Sequence, residues 1–401
     1  MSSPVPKRGP DDLAIVLTGG GARAAYQVGF LRWIARAFPE IHFPIVTGVS
    51  AGAINAACLA ASRGTHAETI AGLHERWRRL TVDEVFRTDR GSLAGHVARW
   101  AGRLLGGGAR FSRPVHGLLD ASPLRGTLDG LLELEPDGTI GGLRENIADG
   151  RLWALALITS HYGSGQSVIW TQGRDLPEWR RPERRSRNTR LNVEHVLASA
   201  ALPFFFPAIR LDDGWHGDGG IRLTDPFSPA LRFGANRILA ISTRFTGSSP
   251  SEETPDGSPY PPPLQIGGQL MNAIFLDDLD RDARELQRVN RLLRELPPEK
   301  RRGLREVDLL VVRPSADVGR LSAKFEPVLP KAFRYLLRGL GSREVRSPDL
   351  LSLLAFHPEY LEQLLDLGER DAAAHAGELR ALLGAGAGAP APADAICATT
   401  A

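Results

Sequence analysis

Gly48-Val49-Ser50-Ala51-Gly52 is the stretch on which the fold reading turns. It sets a serine between two glycines, with an apolar run before it (Phe43 to Val46) and an alanine-rich run after it (Ala51 to Ala61). That is the strand–turn–helix context of a nucleophile elbow. The turn strains the backbone at the serine, and a side chain at either flanking glycine would collide with the adjoining strand or helix. The hydroxyl then stands at a helix N-terminus, where the dipole favours developing negative charge. Gly and Ser are common in ordinary turns, so the context carries more weight than the five letters.

Working outward, Leu13-Ala14-Ile15-Val16-Leu17 reads as a buried strand, followed by Gly19-Gly20-Gly21 and a helix over Ala22 to Ala37. A second strand, Pro44 to Thr47, leads into the elbow. Residues 66–149 read as mostly helical, with breaks at Gly106-Gly107-Gly108 and near Pro123 and Pro136. Leu152 to Ser160 is a strand and Gln166 to Thr171 its partner. Residues 174–190 read as charged and irregular, and a helix follows over Asn192 to Ala200. Arg237 to Thr243 is a further strand. Beyond it come a helix over Leu264 to Glu295 and a strand at Val307 to Val312 that returns to the same sheet. Helical spacing continues over Val328 to Leu340 and Pro358 to Leu383. Strands alternating with helices predict an α/β fold: three layers, α/β/α, around a mainly parallel sheet, with a C-terminal helical extension. The chain divides into a polar lead-in (1–11), a catalytic domain (12–245), a Pro/Ser/Gly-rich linker (246–263), a mostly helical extension with one strand (264–384) and an Ala/Gly/Pro tail (385–401).

The 401 residues are 42% apolar, enough for a sizeable core. The net charge of +3 gives no steer toward nucleic acid. Cys58 and Cys397 lie far apart and make no disulfide framework, which fits a reducing compartment. The first ten residues lack the apolar core of a secretory leader, and no stretch approaches the roughly 18 consecutive apolar residues of a spanning helix. The expectation is a cytoplasmic protein that meets lipid from outside, by transient peripheral contact.

Three motifs bear on chemistry. Gly19-Gly20-Gly21-Ala22-Arg23, after a strand and before a helix, points backbone N–H groups at one spot. It lacks the spacing of a dinucleotide fingerprint and the Gly-Lys-Ser/Thr ending of a P-loop, which favours an oxyanion hole beside Ser50. A serine nucleophile needs a base. Asp218, in Gly217-Asp218-Gly219-Gly220, is the best candidate, although Asp-Gly turns are common on their own. His216 shares a strand face with Asp218, and His161 and His195 lie elsewhere; the reading gives His216 a supporting place rather than that of a base. No His/Cys/Asp cluster has ligand spacing, so neither metal nor cofactor is implied.

Together these motifs resemble the patatin-like phospholipase family. Gly19 to Arg23 looks like its oxyanion motif, Gly48 to Gly52 like its elbow, and Asp218-Gly219-Gly220 like its catalytic D-G-G/A. Ala198-Ser199-Ala200-Ala201-Leu202-Pro203 is similar to its A-S-x-x-x-P segment. The resemblance runs from about residue 12 to 245 and weakens beyond. It implies a Ser50–Asp218 dyad without histidine, an oxyanion hole from Gly20 and Gly21 with Ala22, and supporting roles for Gly48, Gly52, Gly219 and Gly220. Arg23 either holds the loop or faces a lipid phosphate. The implied substrate is a phospholipid or related lipid ester. Two alternatives stand beside it: a regulatory lipid-binding protein with little catalysis, and an esterase for small soluble esters. Oligomeric state is left open.

Weaker signals remain. Seven arginines against three acids over 174–190, near Trp170 and Trp179, read as a solvated loop or as a patch for anionic headgroups. Leu202 to Ile209 lines an acyl pocket or is plain core. Gly91 to Leu105 is a packed surface helix or an interfacial one.

Overall fold

A computed structural model describes residues 13–89, 117–246, 277–339 and 349–384, with 95, 265, 266 and 269. The lead-in, most of the linker, the tail with Cys397, the glycines at 106–108, the N-terminal part of the 264–295 helix and nearly all of 91–105 lie outside the described residues.

The apolar run Leu13–Leu17 is β1, buried along its whole length. A 3-10 turn (Gly21–Ala24) follows and opens into α1 (Ala25–Ala37), so the predicted helix begins with a tighter turn. β2 (Ile45–Val49) runs to the residue before Ser50, and α2 (Ala51–Ala61) starts immediately after it. α3 (His66–Arg79) is capped by Thr65 and Glu68, each side chain bonding the other's backbone N–H. The break expected near Pro123 lies just before it, where 117–121 are non-helical. Pro123 itself occupies the first turn of α4 (Ser122–Leu131), where its missing N–H costs nothing. α5 (Leu143–Ala148) leads to β3 (Ala154–His161), whose antiparallel partner is β4 (Ser167–Gly173).

The arginine-rich segment, read as irregular, contains β5 (Arg184–Asn188), an edge strand parallel to β4. Its charges hid the pattern: only Ser186 of the five is buried, and charged side chains are usual on an edge strand. α6 (Val193–Ser199), capped by Asn192, precedes the hairpin of β6 (Ile209–Leu211) and β7 (Gly214–Asp218). Then come α7 (Ser228–Arg232), β8 (Arg237–Ile241), α8 (Asp277–Glu295) and β9 (Asp308–Val312). The chain closes with α9 (Val318–Ala323), α10 (Lys331–Gly339), α11 (Asp349–Leu354), α12 (Pro358–Ala374) and α13 (Ala376–Leu383).

The sheet order is β5-β4-β3-β2-β1-β8-β9, with β7 on β3 and β6 on β7. β3, β2, β1, β8 and β9 are mutually parallel, as predicted, and β9 does return to this sheet. Strand side chains alternate between two cores. Leu13, Ile15, Leu17, Leu155, Leu157 and Val312 meet α1 to α3 and the C-terminal helices. Ala14, Val16, Ala154, Ala156 and Ala240 meet α7 and α8. The C-terminal helices thus share one core with β1. Among the described residues no helix is long and apolar enough to cross a membrane.

α12 lies directly on α1. A Cβ added to Gly368 would fall 2.2 Å from the Tyr26 carbonyl oxygen, and one on Gly29 would fall 1.9 Å from that of Leu365. Gly368→Val should therefore destabilise the protein by about 1–3 kcal/mol or more in chemical denaturation. Gly72→Ala in α3, where a new Cβ meets nothing within 4 Å, should be neutral or stabilising.

Candidate active site

β2 runs beside β3 as far as Val49, which lies opposite Ile158. The next position on β3, Thr159, lies opposite Asp218, the last residue of antiparallel β7. One partner strand replaces the other here, so the residue following β2, Ser50, meets Asp218 end to end.

Ser50 has φ 57° and ψ −132°, a strained combination for a residue with a side chain, and caps α2. The helix starts so close to β1 that a Cβ on Gly52 would fall 2.4 Å from the carbonyl oxygens of Leu17 and Thr18. The Ser50 backbone N–H donates to Ser199 Oγ at 3.0 Å, and the Ser199 hydroxyl donates to the Ile158 carbonyl at 2.6 Å. Two residues on, the Ala201 carbonyl accepts the Asp218 N–H at 3.0 Å. The 198–203 segment therefore pins both residues by their backbones.

Asp218 is fully buried. Its Oδ1 accepts the Gly220 N–H at 2.9 Å. Oδ2 has no hydrogen bond of ordinary geometry; the Ser50 hydroxyl lies near enough to favour the ionised form without being aligned for one. Burial pushes the carboxyl up to about 7, against the opposing pull of Ser50 and the Gly220 N–H.

The Gly19–Gly21 loop closes over Ser50: a Cβ on Gly19 would fall 2.8 Å from Ser50 Cβ. Gln27 Nε2 donates to the Thr18 carbonyl at 2.8 Å, and the Thr243 hydroxyl donates to that of Gly19. Gly21 is left-handed (φ 54°), and a Cβ there would fall 2.1 Å from the Leu353 carbonyl oxygen in α11.

Arg23 is 1% exposed. Its Nε donates to Ser352 Oγ at 2.6 Å, and its Nη2 donates to the Asp349 carbonyl and carboxylate at 2.8 Å. Of the two roles open to it, these contacts are those of holding the loop, and the anchor is α11. Asp349 and Ser352 carry no local sequence signal for this. Ser199 lies inside the segment singled out, but its target, the nucleophile's own N–H, is 149 residues away.

An apolar cavity of about 70 Å³ begins at Gly20, Gly21 and Ser50 and runs between Ile54, Trp77, Leu128 and Leu353. Leu202 and Phe206 line it too. Phe204 instead points outward, 68% exposed. Cys58 is a buried thiol, pushed up to about 12 by burial. Trp170 is also buried and donates to Thr159 Oγ1 at 2.8 Å, so it is no surface partner for the arginines. Arg184 pairs with Asp225, Arg185 with Asp213 and Arg190 with Asp137.

The fold assembles one cluster that no sequence spacing announced: His161, Asp213 and His216, with ligand-type atoms within 4.8 Å of one another. Its hydrogen bonds assign the protons. The Ser164 backbone N–H can only donate, so His161 Nδ1 accepts at 2.9 Å and Nε2–H donates to the Asp213 carbonyl at 3.0 Å. That leaves His161 no lone pair facing the cluster. His216 Nε2 donates to Asp213 Oδ1 at 2.7 Å, and Nδ1 accepts from the Thr159 hydroxyl at 2.9 Å. Burial holds His216 below its usual pKa and hence neutral. The donor set is spent on a hydrogen-bond network bracing β7 against β3, a supporting place for His216.

A comparison with curated proteins finds no match. Solved structures similar to this chain include human GIVD cytosolic phospholipase A2 in complex with methyl gamma-linolenyl fluorophosphonate (14% identity, 92% of this chain and 58% of that one, TM-score 0.44). Others are VipD from Legionella pneumophila (13%, 89% and 67%, TM-score 0.31) and the complex of full-length SpcU with full-length ExoU from Pseudomonas aeruginosa (16%, 92% and 80%, TM-score 0.24). The chain spans 58% of the length of the human phospholipase structure. A direct family match covers residues 15–231, more than half of the sequence and the stretch that holds the glycine loop, the elbow and Asp218. On that match, the chain belongs to the patatin-like phospholipase family.

Proposed function

We propose that this protein is a serine acyl hydrolase that cleaves fatty-acyl esters of phospholipids or related lipids through an acyl-enzyme on Ser50. The observation that carries the reading is the meeting of Ser50 and Asp218 at the end of an apolar cavity. Ser50 Oγ attacks the ester carbonyl as its proton passes to Asp218 Oδ2, the oxygen without a good hydrogen bond. The backbone N–H groups of Gly20 and Gly21, with the N-terminus of α2, stabilise the oxyanion. The tetrahedral intermediate collapses, Asp218 returns the proton to the departing alcohol, and Ser50 keeps the acyl group. Asp218 then takes a proton from water as its oxygen attacks the acyl carbonyl, and on collapse Asp218 returns that proton to Ser50 Oγ while the fatty acid leaves. A carboxylate with a pKa near 7 suits this work, since a base is most effective when its pKa lies close to the working pH.

The dyad is tested with a fluorophosphonate probe and an ester assay on variants. Ser50→Ala should abolish labelling, and Asp218→Ala should lose at least ~100-fold in kcat. His216→Ala should retain more activity than either; a His216→Ala variant as inactive as Ser50→Ala beside an active Asp218→Ala would overturn the assignment. The kcat/KM profile should rise about tenfold per pH unit below a midpoint near 7, as Asp218 loses its proton.

The same carboxyl predicts a stability trend. Its folded pKa lies above the unfolded value, so its contribution is fully present below pH ~4 and is lost as pH rises through about 7. Asp218→Asn should therefore gain on the wild type between pH 4 and 7, by a few kcal/mol at most at ~1.4 kcal/mol per pKa unit, as read by denaturant unfolding. Ser199→Ala strands the Ser50 N–H and should cost ~1–3 kcal/mol in the same measurement, with a fall in kcat.

A further inference from the structure

The cavity beside Ser50 is too small for a long acyl chain. Its volume of about 70 Å³ is room for a handful of waters, at the roughly 10–15 Å³ of free space each requires. Pockets for ligands of moderate size run to roughly 300–1,000 Å³. A long chain must therefore extend beyond it.

The walls differ in what holds them. α2 is packed core, and α11 is tied down by the buried Arg23 guanidinium. On the side of α3 and α4, the apolar lining of Trp77, Leu124 and Leu128 is interrupted by Arg76 and Thr127, which belong to a polar bridge. Arg76 Nη1 pairs with Glu84 at 3.0 Å, Arg76 Nη2 reaches Thr127 Oγ1 at 3.4 Å, and the Thr127 hydroxyl donates to the Glu84 carbonyl at 2.7 Å. Arg76 and Glu84 are each 35% exposed, and an ion pair so exposed contributes little to stability.

Beyond this bridge lies a surface groove of about 590 Å³. Arg76 and Leu131 line both the cavity and the groove. Cys58, Leu73 and Leu132 give the groove apolar lining, and charged side chains such as Glu75 and Arg79 line it too.

We propose that the groove is the subsite for the distal part of the substrate's acyl chain, reached through the Arg76–Glu84–Thr127 bridge. This rests on the acyl-hydrolase reading. The carbonyl end and first methylenes occupy the cavity beside Ser50. The tail of a long chain swings the Arg76 side chain aside, crosses between α3 and α4, and lies along the groove. Short acyl groups end before the bridge and do not need it.

Two glycines make the test clean. Gly72 and Gly130 line the groove, and a Cβ at either meets nothing within 4 Å. Gly72→Trp and Gly130→Trp each fill the groove, and p-nitrophenyl butyrate and palmitate serve as short and long substrates. Each plug should lower the palmitate-to-butyrate ratio of kcat/KM by at least about tenfold, the lower end of what one denied methylene position is worth. Arg76→Ala should move the same ratio upward. An unchanged ratio in both plugged variants, with unchanged melting temperature, would overturn the proposal. Loss of both rates together at unchanged melting temperature would make the groove the entrance for the whole ester and equally overturn it. If one plug fails to fold, the other decides. A wild type that cleaves neither ester and takes up no fluorophosphonate would instead strike down the hydrolase reading itself.

Discussion

One edge of β3 serves two strands in turn, and the site exists because of that. Up to Ile158 the edge belongs to parallel β2; from Thr159 it belongs to antiparallel β7. Two strands approaching head-on along a shared edge must both turn away where they meet. β2 does so through the left-handed residue Ser50, and β7 does so through the Asp218-Gly219-Gly220 turn. Nucleophile and base are thus the two turn residues of a single junction. Their spacing is set by sheet register, which is stiffer than any loop. The end of α6 and the residues just after it lock the junction from one face, with the Ser199 hydroxyl on one side and the Ala201 carbonyl on the other. The His216 network braces β7 two positions further out.

The second constraint is electrostatic. A guanidinium as buried as that of Arg23 is tolerated only when paired and fully bonded. Asp349 and Ser352 meet that demand, which ties α11 to the glycine loop and brings the Leu353 carbonyl against Gly21. The loop is therefore shaped from above by the C-terminal helices as well as from below by β1. Those helices belong to the core of the site, and Leu353 is at once a wall of the cavity and a neighbour of the glycine loop.

How far the sequence is legible follows from which interactions are local. β1, α2 and the return of β9 are written in runs of apolar residues, which burial requires whatever the surroundings. The elbow is legible because its two glycines answer a clash within the turn itself. β5 is obscured because this edge strand of arginines buries only Ser186. The role of Arg23 stayed divided between two readings because its partners lie 326 and 329 residues away. The network of His161, Asp213 and His216 is invisible for a similar reason: register, not spacing, pairs His161 with His216. The polar bridge at Arg76 joins three elements and belongs to none of their local patterns.

The link from Arg23 to Asp349 also orders events in time. The glycine loop leaves the ribosome before its anchor, with 326 residues between Arg23 and Asp349. Contacts separated by so much chain are slow to form, since loop closure must precede any reward from them. Until α11 arrives, Arg23 has no carboxylate to bury with, and the face of α1 that receives α12 is bare. From the synthesis of Asp218 until that of α11, a nascent chain therefore carries both Ser50 and Asp218 without a finished loop above them. Its early helices spend that time with apolar surface exposed, the state in which chains aggregate and chaperones engage.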